Sequence, residues 1–119
     1  MAWREEYRSG RTIEIRDRLD GLVQRGESLY NNWMAKKCPT RRTLRWIETT
    51  RAFVRRHFSV QQIDAVNTHA LGLDDEEGIR TRVEIALALQ KTEPEGDNFA
   101  LLVADTLDAL KRLRKDIRE

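Results

Sequence analysis

The chain has 119 residues, 39% hydrophobic and 35% charged, with 6 Gly, 2 Pro, 1 Cys and a net charge of +2. That length suits one domain that buries about two-thirds of its unfolded surface around a single core, and the composition is that of a highly charged, mostly helical protein rather than a disordered one. A lone Cys38 excludes an internal disulfide, and the longest apolar run, Phe99 to Ala104, is far too short for a bilayer, which takes about 20 residues.

The start of the chain, Met1-Ala2-Trp3-Arg4-Glu5-Glu6-Tyr7, carries charge where a signal peptide needs an apolar stretch. With the unpaired cysteine this leads us to expect a cytoplasmic protein with no membrane contact. One domain over 1–119 is expected, with residues 1–10 as a flexible arm.

From Arg11 to about Lys36, the residues Ile15, Leu19, Leu22, Leu29 and Trp33 recur by threes and fours, with Gly26 completing the series. This is the helical period. Val23, Tyr30 and Met34 widen the apolar face, which either supports a homo-oligomer or is filled internally. Gly21 and Gly26 either soften this helix or let a neighbouring backbone come close.

Cys38-Pro39 breaks the pattern, and Thr40 is the expected N-cap of a second helix whose stripe is Leu44, Ile47, Val54 and Phe58. Ser59 and Gln62 have capping-box spacing, so a shorter third helix with Val60, Ile63, Val66 and Ala70 is predicted, ending at Gly72. Asp74, Asp75, Glu76 and Glu77 then stand at the positive end of a fourth helix carrying Ile79, Val83, Ala86 and Leu87, which stops before Pro94. A fifth helix, capped by Asp97, carries Phe99, Leu102, Val103, Leu107, Leu110, Leu113 and Ile117. The expected fold class is an all-α, single-domain bundle of about five helices, with Trp33, Trp46, Phe58 and Phe99 mostly in its core.

Charge is unevenly spread. Between Lys36 and His57 stand Lys36, Lys37, Arg41, Arg42, Arg45, Arg51, Arg55 and Arg56 against a single acid, Glu48; that segment is +7, so with a chain total of +2 the rest sums to −5. A basic stretch on a mildly acidic body is where an anionic partner docks, either an acidic protein surface or nucleic acid. Lys36, Lys37, Arg41, Arg42, Arg45, Arg55 and Arg56 are the candidate anion-binding residues, and Trp46, at the border of their face, is a candidate aromatic platform. A solvated helix face would account for the same pattern.

Arg51 falls on the apolar stripe of the second helix, so it is either paired or snorkelling, or it lines an open groove. The series Arg51-Ala52-Phe53-Val54-Arg55-Arg56-His57 resembles the Arg-to-His signature of the HEPN superfamily, helical bundles that include metal-independent ribonucleases. That resemblance implies, as an alternative function, that Arg51 and His57 of paired subunits converge on an RNA phosphate, with Arg51 stabilising its charge and His57 handling the proton. A second resemblance covers more of the chain. Arg18 to Leu29 with Gly26-Glu27, Leu44-Arg45-Trp46, Phe53 to Ser59 and Leu107 to Lys111 are similar to small helical accessory domains found beside bacterial defence and signalling modules, which implies an adaptor or assembly role.

Two histidines with eleven residues between them and one cysteine give no zinc spacing, the run Asp74 to Glu77 lacks the pattern of a calcium loop, and there is no phosphate-cradling Gly loop. No metal and no cofactor are expected. The residues point to a binding or assembly module rather than an enzyme.

Overall fold

The 3.6-residue period is realised as helices in residues 11–65, 76–93 and 98–117, which are the residues that the computed structural model describes. They form α1 (Arg11–Met34), α2 (Thr40–His57), α3 (Val60–Ala65), α4 (Glu76–Thr92) and α5 (Ala100–Asp116). No strand occurs among the described residues, so the fold is an all-α bundle. The arm at 1–10, the predicted end of the third helix at Val66 to Gly72, and Asp74, Asp75 and Asp97 lie outside the described residues.

The centre of the fold is the pairing of α1 with α5, with α2 laid against both. Every member of the predicted α1 stripe is buried, with Leu19 and Trp33 at 0% exposure, and they meet Val103, Leu107, Leu110 and Leu113 of α5. Each such aliphatic or aromatic side chain contributes about 1.5 to 3 kcal/mol by leaving water. The apolar face of α1 is thus filled within the chain, and Met34, expected to widen it, is half exposed. Trp33, Trp46, Phe58 and Phe99 are all buried, as expected, and Trp33 packs against Phe99 with ring centroids 5.3 Å apart.

The two glycines of α1 do different things. A Cβ on Gly26 would lie 2.4 Å from Trp46 Cζ2 and 2.6 Å from Leu107 Cδ2, so the bare backbone is what lets α2 and α5 close on α1. What approaches is a pair of side chains, not the backbone that the sequence suggested. Gly21 has no heavy atom within 4 Å of such a Cβ, and no packing demands it.

The turn from α1 to α2 closes as a Schellman motif. The amide of Lys37 donates to the carbonyl of Asn32 and that of Lys36 to Trp33, with Lys36 in the left-handed region at φ 63°. Glycine is the usual residue there, and a lysine carries the cost of its Cβ. Thr40 is not the N-cap of α2: Pro39 holds that position, with no side-chain cap, and Thr40 is the first helical residue. The useful hydroxyl is that of Thr43, fully buried, which accepts from Trp33 Nε1 at 2.8 Å and donates to the Pro39 carbonyl at 2.8 Å. Sequence spacing alone favours the first Thr after the proline, whereas the second is the one placed against α1.

At the other end of α2 the capping box forms as read: Ser59 N donates to Gln62 Oε1 at 2.8 Å, and Gln62 N to Ser59 Oγ at 3.1 Å. The start of α5 differs from the expectation. Phe99, not Asp97, occupies its N-cap, again without a side-chain cap, because its ring is drawn into the core. Asn98 instead fastens α4 to α5, donating through Nδ2 to Gln90 Oε1 at 2.6 Å and to the Glu93 carbonyl at 3.0 Å. No helix among the described residues is long and apolar enough to cross a membrane.

Candidate anion-binding surface

An α-helix turns about 100° per residue, so burying Thr43, Trp46, Ile47, Thr50 and Val54 sends the opposite face of α2 to solvent. Arg41, Arg42, Arg45, Arg55 and Arg56 are exposed on that face, and Lys36 and Lys37 are exposed in the turn before it. All seven basic residues singled out in the sequence are thus at the surface. Glu48 and Thr49 share the face, and Glu48 is its one acid.

Several ion pairs tie the other helices together. Arg114 Nε meets Asp20 Oδ1 at 2.8 Å and Lys111 meets Glu27 at 3.5 Å, tying α5 to α1, while Arg82 meets Asp105 at 3.0 Å, tying α4 to α5. Arg112 pairs with Asp108 along α5 at 3.1 Å. Among the described residues, Arg41, Arg42, Arg45 and Arg56 have no ion pair and no side-chain hydrogen bond. Asp20 and Glu27 of α1 are used by α5, and Asp105 and Asp108 of α5 by Arg82 and Arg112, so the charge of these four arginines is left open to an external anion.

The ridge is bordered by two clefts. The one between α2 and α4 has a volume of about 570 Å³ and mixes charge: Arg41, Arg45, Arg51 and Arg80 share its walls with Glu48 and Glu84. Half-buried Arg51 therefore sits at a groove wall beside acids, which accounts for a cation on an otherwise apolar stripe. The other cleft, between α1 and α2, has a volume of about 250 Å³; its charged members are all arginines, Arg25, Arg42 and Arg45, joined by the hydroxyl residues Ser28 and Thr49 above Leu29 and Trp46.

Trp46 does not provide the expected platform. It is 4% exposed, its Nε1 donates to the Leu22 carbonyl at 2.9 Å, and its ring lies against Gly26. Gly26 creates the slot that takes the indole into the core, leaving only an edge at the cleft floor. Arg51 and His57 do not converge within the chain: six residues along one helix turn them about 120° apart. Half-buried His57 packs on Phe53 with ring centroids 4.7 Å apart. No group of three or more His, Cys, Asp or Glu among the described residues is placed to hold a metal ion.

Arg25 is the residue that the basic segment did not reveal, because it lies on α1, where acids and bases alternate. Its signal was positional: Arg18, Gly21, Arg25 and Ser28 fall on one flank of α1 at spacings of three and four, and none is an acid. The chain matches no family model, no curated protein and no solved structure.

Proposed function

We propose that this chain is a non-enzymatic binding or assembly module that presents the exposed face of α2 to an anionic partner. The observation that carries the reading is the state of Arg41, Arg42, Arg45 and Arg56: all exposed, and all without a carboxylate partner among the described residues. Solvated surface arginines on a helix commonly find acids three or four residues away; α2 offers these only Glu48. The adaptor role implied by the likeness to small helical accessory domains fits a surface built for docking.

Replacing Arg41, Arg42 and Arg45 together by Glu reverses the ridge. Capture of anionic ligands, measured by fluorescence anisotropy against labelled polyanions, is expected to be lost while the far-UV circular dichroism spectrum is kept, because exposed charges contribute little to stability. Undiminished capture by the folded triple variant rejects the proposal.

A further inference from the structure

The cleft between α1 and α2 belongs to a longer feature. The bonds from Trp33 to Thr43 and from Trp46 to Leu22 set the two helices antiparallel and fix their register. Continued along both helices from the pairing of Leu22 with Trp46, that register brings Arg18, four residues before Leu22, to the turn of α2 around Thr50, and Arg56 stands six residues further along α2. Helical spacing keeps both on the same flank as the cleft: Arg18 is seven residues before Arg25, and Arg56 seven after Thr49. Arg42, Arg25, Arg45, Arg18 and Arg56 thus border one trough, and the fourteen residues from Arg42 to Arg56 give it a length of about 21 Å at 1.5 Å per residue. All five are exposed, and none has an ion pair among the described residues.

Gly21 lies on this flank, between Arg18 and Arg25. Glycine weakens a helix interior, and here no neighbour requires it, because a Cβ would meet nothing within 4 Å. What the missing side chain does provide is an open floor, where a ligand backbone can approach the helix.

The geometry points to one occupant, and the inference rests on the docking function proposed above: the trough takes the sugar-phosphate backbone of a single-stranded nucleic acid, read without regard to base. Guanidinium groups match phosphate oxygens bidentately, and Ser28 and Thr49 add hydroxyl donors on the cleft walls. Phosphates recur regularly along a single strand, so a trough of this length spans several of them. A nucleic acid carries this charge density in any sequence, whereas a polypeptide reaches it only as an unbroken acidic run. Withdrawal of Trp46 into the core removes the obvious stacking surface and leaves contacts that do not distinguish bases.

Anisotropy titrations of the full chain with labelled dT20 and rU20, a 20-base-pair duplex and poly-glutamate at 50 to 200 mM salt test this. Five backbone contacts predict a slope of log affinity on log salt of about −3.5 for single strands, a loss of roughly a hundred-fold over that range. Arg25→Gln and Arg18→Gln should each make the slope shallower by about 0.7 for both homopolymers, and Gly21→Gln, which fills the floor with a good helix former, should weaken binding without changing the helical spectrum. Unchanged slopes in Arg25→Gln and Arg18→Gln, with binding still abolished by Glu at Arg41, Arg42 and Arg45, overturn the trough and leave the docking face standing. Tighter binding of the duplex or of poly-glutamate overturns the choice of occupant. If the wild type takes none of the four probes at 50 mM salt, the docking function fails, and the trough with it.

Discussion

Gly26→Ala is expected to destabilise the protein by about 2 kcal/mol although it replaces the poorest ordinary helix former with the best one. In an open helix the exchange gains about 1 kcal/mol. At this position the new methyl lands 2.4 and 2.9 Å from two carbons of the Trp46 ring and 2.6 Å from Leu107 Cδ2. Relief requires movement of nearly an ångström, and the indole is held by its 2.9 Å bond to the Leu22 carbonyl. Overpacking of a closed core costs about 1 to 3 kcal/mol, and a buried indole N–H pulled off its acceptor costs about 1 to 3 more, so the clash outweighs the propensity. Gly21→Ala, five residues earlier on the same helix, meets nothing within 4 Å and should gain about 0.5 to 1 kcal/mol. Urea denaturation followed at 222 nm measures both. The melting temperature should fall by about 8 °C for the first and rise by about 2 to 4 °C for the second, at roughly 4 °C per kcal/mol for a domain of this size. Adding Trp46→Phe to Gly26→Ala should cost less than the sum of the two single changes, with a coupling of about 0.5 to 3 kcal/mol. A Gly26→Ala protein as stable as the wild type refutes the close approach.

The same substitution at two buried threonines of α2 should also have opposite signs. Thr43→Val strips Trp33 Nε1 of its acceptor and should cost about 2 kcal/mol; Thr50→Val replaces a fully buried hydroxyl that has no hydrogen-bond partner among the described residues and should gain about 1 kcal/mol. Both are read from urea midpoints, and equal effects at the two sites contradict the Trp33 to Thr43 to Pro39 chain of bonds. Lys36→Gly relieves a left-handed backbone at φ 63° and should stabilise by about 1 kcal/mol, read as a higher melting temperature.

The helical stripes were legible because burial follows periodicity, and Ile15, Leu19, Leu22, Leu29 and Trp33 obey it without exception. The capping box was legible because both of its bonds are local. The basic face was legible too, since a long run of arginines cannot all point inward. Trp46 fell between two readings, core residue and exposed platform, because its angular place on α2 is a border position; what decides its burial is Gly26, twenty residues upstream, whose missing side chain opens the slot. Two helix starts, those of α2 and α5, differed for a related reason. Pro39 and Phe99 hold N-cap positions without contributing a cap, because the turn geometry and the core place them there. Arg25 escaped notice because its relevance comes from the α1 to α2 register, which is fixed by two tryptophan hydrogen bonds and not by any local pattern.

Arg55 and Arg56 in the last turn of α2 favour its dipole, but the placement of charge at its start works against the helix. Its first turn holds Arg41 and Arg42 and no acid, at the end where unsatisfied backbone N–H groups favour negative charge, and Arg45 repeats the sign one turn on. Like charges at i,i+4 destabilise a helix by about 0.2 to 0.5 kcal/mol, and a cation at the N-terminus by a similar amount. Arg41→Glu with Arg42→Glu inverts these effects: each acid favours the dipole, and Glu at 41 stands four residues before Arg45, the better orientation for an i,i+4 pair. A gain of about 1 kcal/mol follows for the double variant, read as a higher urea midpoint at low salt that shrinks as salt is added. The same variant should bind polyanions more weakly, so stability and affinity move in opposite directions on one substitution. A double variant that melts lower than the wild type would mean that Arg41 and Arg42 serve the fold, and the case for a surface shaped by its partner would lose its physical ground.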